Sequence, residues 1–266
     1  MQVSCHSLKY RHALAFPGKN DHNHPVCVRT VTKREVIMPR MKSAKRRIEG
    51  YLTSPDWRER LEEISHDGLE AVGPLFSFLP RGGLLMHRAA VALGKVTALL
   101  ALQRPDAARN ILRRLMWHMS EESGNMGWGI PEAFGEILAA SPPLAKEFHR
   151  ILLSYIIDLG HDDNYCDNDI LRRSCYWAIG RLAGEHPALC QEARPWLRRG
   201  LDDQDSVCQG MAAWALGQLP VDVMDVPALR RLSVSANTAT CEFFDGTDIR
   251  QKTAAQIATE VLARHP

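Results

Sequence analysis

Four carboxylates crowd one glycine-rich stretch of this 266-residue chain. Glu121 and Glu122 open the segment 120–130, Glu132 and Glu136 follow it, and Gly124, Gly127 and Gly129 interrupt where a helical turn is due. Clustered carboxylates suit a hard cation or acid–base work, while a solvated acidic turn is the other reading open here. Glycines admit backbone conformations closed to other residues. No strand precedes the stretch and no G-x-G-x-x-G is present, so it is not a dinucleotide fingerprint. A second acidic loop runs from His161 to Asp169 and includes Asp163. It lacks the Gly at position 6 and the Glu at position 12 of a calcium loop. Asp167, Asn168 or Asp169 is expected instead to cap the helix entering at Ile170. Cys5, His6, His12, His22, His24 and Cys27 contain H-x-H-x-x-C without the second half of a zinc motif, which implies adventitious metal binding. No cofactor or metal is assigned. No Ser-His-Asp or Cys-His set emerges either, since Cys175 and Cys208 fall on helix faces that pack.

The elements that must position these groups repeat. Gly94 ends LLMHRAAVALG, Gly135 ends MGWGIPEAFG, Gly180 ends LRRSCYWAIG, Gly217 ends CQGMAAWALG, and Ala258 takes the same place in IRQKTAAQIA. The steps are 41, 45, 37 and 41 residues, the period of a two-helix HEAT-type repeat. Counted from each closing residue, the −9, −2, −1 and +2 positions form an apolar stripe with helical spacing. One unit cannot bury that stripe alone, so neighbours must stack. Pro105, Pro142 and Pro187 begin the partner helices, where a missing N–H costs nothing, with Ser141 expected as an N-cap. Pro195 predicts a kink or restart. No run shows strand alternation, so the chain reads as all-α.

Positions −7, −3 and +1 lie one turn apart on a face away from the stripe. They place Trp128, Glu132 and Glu136 beside Arg173, Trp177 and Arg181, then beside Gly210, Trp214 and Gln218. Stacked helices lie about 8–10 Å apart, so neighbouring indoles can touch or bracket a ligand. Two readings stay open: a recognition patch for a peptide or a planar or cationic group, or tryptophans that seal the contacts between repeats.

The pattern in these segments resembles the phycobilisome-lyase type of HEAT-like repeat, roughly D-x-x-V-R-x-x-A-A-x-A-L-G. Asp205 to Gly217 follows it best, with Cys208 at the Val position and Gln209 at the Arg position; Arg172 and Arg250 match that Arg, whereas Met86 and Gly127 do not. The resemblance covers residues 50–266. SEESGNMGWGIPEAFGEIL and the CYWAIGRLAG block are also similar to an uncharacterised bacterial HEAT-repeat group, which implies no activity. Di-iron HEAT hydroxylases carry His-Glu pairs, and this chain has only Glu185-His186 in reverse order. HEAT-fold DNA glycosylases need a basic groove. A bilin-lyase-like role is implied by the repeat's name alone.

Charge is divided. Residues 1–48 carry a balance of +9 and the remainder −7. The acidic solenoid argues against nucleic acid, except for loose contact through the basic tail. Residues 1–45 read as a disordered tail, or Met38 or Met41 is the true start. No stretch offers about 20 uncharged apolar residues for a membrane span, and seven scattered cysteines suit a reducing cytoplasm. The expected architecture is a right-handed α-solenoid of about five HEAT-like repeats over residues 46–266. Its expected role is a non-catalytic scaffold gripping a protein or peptide on the concave face. Trp128, Trp177 and Trp214 would be the anchors, Glu132, Arg173 and Arg181 would set charge and register, and Glu121, Glu122 and Asp163 would lie at the rim. The alternative is a cofactor-handling or lyase-type enzyme with an acidic site around the Gly-rich loop.

Overall fold

Five inner helices stack in order along the molecule: α4 (Gly83–Gln103), α6 (Ile130–Ala140), α8 (Asp169–Glu185), α10 (Ser206–Leu216) and α12 (Ala254–Arg264). The computed structural model describes residues 33–120, 127–220 and 222–264, with side chains from residue 42 onward. Each inner helix contacts the next, and α5 (Pro105–Met119), α7 (Pro142–Ser154), α9 (Arg194–Gly200) and α11 (Val226–Ser233) form the second layer. At the N-terminal end α1 (Lys33–Thr53), α2 (Leu61–His66) and α3 (Leu69–Phe78) cover α4. This is an α-solenoid, with one continuous core running from Ile48 to Val261.

The closing glycines explain the stacking. A Cβ built on Gly94 would stand 2.8 Å from the Glu136 carbonyl oxygen, one on Gly135 2.7 Å from Cα of Ala178, and one on Gly180 2.9 Å from Cα of Ala215. Backbone therefore meets backbone between successive inner helices, and any side chain at these places would force them apart. Buried ion pairs tie neighbouring repeats elsewhere, from α8 to the loop before α10 and from α9 to the residue preceding α11. Arg172 holds Asp203 at 2.9 Å, and Arg194 pairs with Asp225.

Local signals behave as their chemistry requires, with two exceptions. The Asn168 side chain caps α8 by accepting from Leu171 N at 3.0 Å, and Asp205 caps α10 by accepting from Cys208 N at 2.8 Å. Pro195 lies in the first turn of α9, which restarts after a 3₁₀ stretch, Pro187–Ala193. Ser141 occupies the N-cap position of α7, but its buried side chain makes no capping bond. The boundary expected at residue 45 falls inside α1, and residues 1–32, with their Cys/His cluster, lie outside the described residues. By length and composition α4 passes the test for a membrane-crossing helix, yet it is packed between α3 and α6 as a core helix.

The all-helix expectation fails at the fifth repeat. β1 (Thr240–Phe244) and β2 (Ile249–Thr253) form an antiparallel hairpin, with Cys241 opposite Lys252 and Phe243 opposite Arg250. Ile249, Arg250 and Gln251, assigned above to the start of the last inner helix, are strand residues, and α12 begins only at Ala254. The turn is built by Asp245 and Gly246 (φ 99°), with Asp245 accepting from the Thr247 and Asp248 amides at 2.9 Å. Asp-Gly between β-prone runs is a hairpin signal in its own right.

Two glycines of α8 and α6 test this account. Gly135→Ala should lower stability by about 1–3 kcal/mol, because its obstacle is backbone and cannot swing away. Gly184→Ala, whose Cβ would find only the Gln218 Oε1 at 3.6 Å, should stabilise by about 0.5–1 kcal/mol through helix propensity. Urea midpoints of the two variants check both signs.

Candidate functional site

The hairpin crosses the tryptophan face and covers it. Trp177 and Trp214 are stacked at 6.0 Å and 6°, but Trp177 is only 4% exposed. Its indole Nε1 donates to the Phe244 carbonyl at 3.1 Å. Phe244 stacks on His87 at 4.9 Å and reaches Trp57 at 6.5 Å, while Phe243 leans on Trp214 at 6.2 Å. Gly210 makes room for this crossing: a Cβ there would stand 2.5 Å from Cys241 Sγ of β1. The exposure expected of Trp177 is thus absent, because an aromatic strand from the same chain occupies the face. Trp214 remains half-buried.

Two hollows flank β1. One, of about 310 Å³, brings together Trp177, Trp214, Arg181, Glu136 and the hairpin tip at Asp245 and Gly246. Arg181 is already committed there, to Glu136 at 3.1 Å and Glu185 at 2.9 Å. The other, of about 380 Å³, gathers Glu132, Arg173, Trp177, His87, Ser174 and Phe243. Arg173 is bound by Asp205 of the next repeat, with Nε to Oδ1 at 2.7 Å. Glu132 is buried, its Oε1 accepts from the Ser174 hydroxyl at 2.6 Å, and its Oε2 has no partner. Burial raises the Glu132 carboxyl above the ordinary range against the opposing Ser174 bond, and burial likewise raises Glu136 against Arg181. Desolvation pulls His87 down to about 4, and its Nδ1, shut from solvent, is also without a partner.

Among the described residues, Trp128 and Asp163 line neither hollow. Trp128 sits half-buried in the turn before α6, and no ring contact links it to Trp177 or Trp214 among the described residues. Asp163 organises its own loop by accepting from Leu159 N at 2.6 Å and Tyr165 N at 3.0 Å, and these amides lower its carboxyl. Asp167 lines a separate hollow with Arg172 and Tyr176, so Glu132 and the second acidic loop are not joined. Glu121, Glu122 and Gly124 lie outside the described residues. Cys175 and Cys208 are fully buried, and desolvation raises the Cys208 thiol far above its ordinary value, against a nucleophilic role. Sequence reasoning passed over Ser174, Phe243 and Phe244. The Asp245-Gly246 pair was the signal that would have found the two phenylalanines.

Comparison with known proteins bears first on the segment holding α8 and α10, where the closing glycines and both caps recur. Residues 169–219 match the family described as HEAT-like repeat. This segment is similar to a HEAT-like repeat. An uncharacterized protein of Archaeoglobus fulgidus is 28% identical over 183 residues, covering 67% of this chain and 87% of the relative. Among solved structures, a computationally designed armadillo repeat protein for modular peptide recognition is 18% identical, with a TM-score of 0.44, over 82% of this chain and 98% of that one. An archaeal HEAT-like repeats protein from Thermococcus onnurineus NA1 is 13% identical, with a TM-score of 0.38, over 83% of this chain and 79% of that one. The matches support the HEAT-like repeat over residues 169–219 and do not confirm the phycobilisome-lyase type.

His87 supplies a pH test of the covered face. Its imidazole takes up a proton near pH 6.5 when unfolded and only near 4 when folded, so the unfolded chain binds more protons between those values. Stability from this group is full above 6.5 and lost as pH falls towards 4, by at most about 3 kcal/mol. Glu132 and Glu136, raised by burial, act in the opposite sense as pH falls. The comparison is therefore wild type against His87→Phe. The wild type should lose urea resistance relative to the variant across that window, and a constant difference would show that the imidazole titrates alike in both states.

Proposed function

We propose that this chain is a non-catalytic binding scaffold whose tryptophan face, the concave side of the solenoid, holds an extended segment of a partner protein. One observation carries the reading: the face already holds such a segment in cis. β1 lies across Trp177 and Trp214 with its two phenylalanines on aromatic rings, and one indole N–H holds a main-chain carbonyl. Main-chain hydrogen bonds with side-chain pockets are how extended peptides are commonly recognised. A partner segment of similar character would replace the hairpin, and Trp177 and Trp214 would then be the anchors. Glu132, Arg173 and Arg181 border the vacated track. The partner is a peptide or protein rather than nucleic acid, because the arginines along the track are already neutralised by Asp205, Glu136 and Glu185.

Hairpin occupancy lowers apparent affinity by the fraction of molecules in which the face is open. Selection from a random peptide library should therefore enrich aromatic-containing extended sequences. These should bind a Phe243→Ser/Phe244→Ser variant at least about tenfold more tightly than wild type, provided circular dichroism shows the solenoid intact. Trp214→Ala should reduce capture by both. Absence of enrichment on either protein, or capture indifferent to Trp214, would refute the proposal.

A further inference from the structure

Among the described residues Cys175, Cys190, Cys208 and Cys241 are buried, whereas Cys166, in the loop that enters α8, is only half-buried. Three bonds fix where Cys166 sits. Its amide donates to the Tyr155 carbonyl at 3.0 Å, its carbonyl accepts from Arg172 Nη1 at 3.0 Å, and its thiol donates to the Asn168 carbonyl at 3.6 Å. Arg172 and Cys175 stand three residues apart on α8 and so share one face of it. The arginine that holds the Cys166 backbone therefore brings the loop cysteine against Cys175. There the two thiols are hydrogen-bonded to each other. The other three thiols meet backbone carbonyls instead, Cys190 that of Ile179 at 4.0 Å, Cys208 that of Asp169 at 3.4 Å and Cys241 that of Ser206 at 3.9 Å.

We infer that Cys166 and Cys175 are a peroxide-reactive dithiol that closes reversibly to a disulfide between the loop and α8. The Cys166 sulfur attacks one oxygen of hydrogen peroxide, the O–O bond breaks, and a sulfenic acid forms as the thiol proton leaves with the other oxygen as water. The Cys175 sulfur then attacks the sulfenic sulfur and the S–O bond breaks. The departing hydroxide takes the Cys175 proton as a second water. Two thiols are thereby oxidised by two electrons, and one peroxide is reduced. A dithiol reductant reverses the step by exchange. Exposure assigns the roles, since peroxide from solvent can reach Cys166, whereas Cys175 needs to reach only the neighbouring sulfur. The Cys175 hydrogen bond and the Arg172 guanidinium lower the Cys166 thiol below its ordinary value against the cost of burial. The same contact, with desolvation, pushes Cys175 well up. Such a difference separates an attacking from a resolving cysteine. The disulfide would tie the loop that carries Tyr165 to the helix that carries Tyr176. Both tyrosines line the hollow of about 470 Å³ that also holds Asp167 and Arg172, so oxidation would act on that wall and not on the hairpin.

Trypsin separates the two cysteines, into residues 151–172 and 174–181. The full chain, reduced and then exposed to hydrogen peroxide, should yield these two peptides joined, with the loss of two hydrogen atoms. It should still run as a monomer on a non-reducing gel, and dithiothreitol should restore both thiols. Before oxidation, iodoacetamide should label Cys166 at least about tenfold faster than Cys175, Cys190, Cys208 or Cys241. Cys175→Ala removes the resolving thiol, so dimedone should trap at least about tenfold more Cys166 sulfenic acid than in wild type. Cys166→Ala, at a half-buried place, should leave Cys175 unoxidised at the same dose, and it decides the matter if circular dichroism shows Cys175→Ala unfolded. Peptides that stay apart at doses converting methionines to sulfoxide, that join only in urea, or that join two chains would each overturn the assignment. So would oxidation of Cys175 that persists in Cys166→Ala. None of these outcomes bears on peptide capture, so the two proposals fail separately.

Discussion

Backbone contact between successive inner helices is the constraint on which the rest of the molecule depends. At Gly94, Gly135 and Gly180 there is no space for even a methyl group, because the neighbour presents a carbonyl or a Cα. Helices held this close bring the side chains one turn away into register on a shared face. That is why Trp177 and Trp214 end parallel at 6.0 Å, although they belong to different repeats. Gly180 lies under the Trp214 ring as well as under α10, so one missing side chain serves both the helix contact and the aromatic stack.

Charges follow the same geometry. Arg173 reaches Asp205, the residue that also caps α10, and Arg181 reaches back to Glu136 on α6. A side chain that looked like a recognition element is thereby a link between neighbours. Arg172 does the same more deeply, donating to Asp203 and to the carbonyls of Cys166 and Asp167. Such pairs carry a desolvation cost that offsets much of their attraction, so their effect is to fix register rather than to add much stability.

The stacking was legible in the sequence because its cause is local. A small residue recurring every repeat at the end of an apolar stripe can be seen without knowing any tertiary contact. The α8 cap was legible for the same reason, narrowed to Asp167, Asn168 or Asp169, since a cap is decided within four residues. What escaped was set at a distance. The burial of Trp177 depends on a carbonyl 67 residues further on, and nothing near Trp177 announces it. The hairpin did leave a trace at Asp245-Gly246, but Ile249 and Arg250 also fit the repeat pattern, and the stronger periodicity concealed the weaker turn. Glu132 lay on the right face, yet its burial and its bond to Ser174 of the next inner helix arise only from tertiary packing.

The hairpin changes what kind of object the solenoid is. Repeat arrays normally behave as one-dimensional chains, in which each unit feels only its neighbours and the ends fray independently. Here Phe244, near the C-terminus, touches Trp57 and His87 at the N-terminal end. The first and last units are thereby coupled, and neither end can open without disturbing the other. Such closure raises contact order and slows folding. In exchange it suppresses the partial unfolding that open arrays undergo from their termini, so the array should melt as a single cooperative unit.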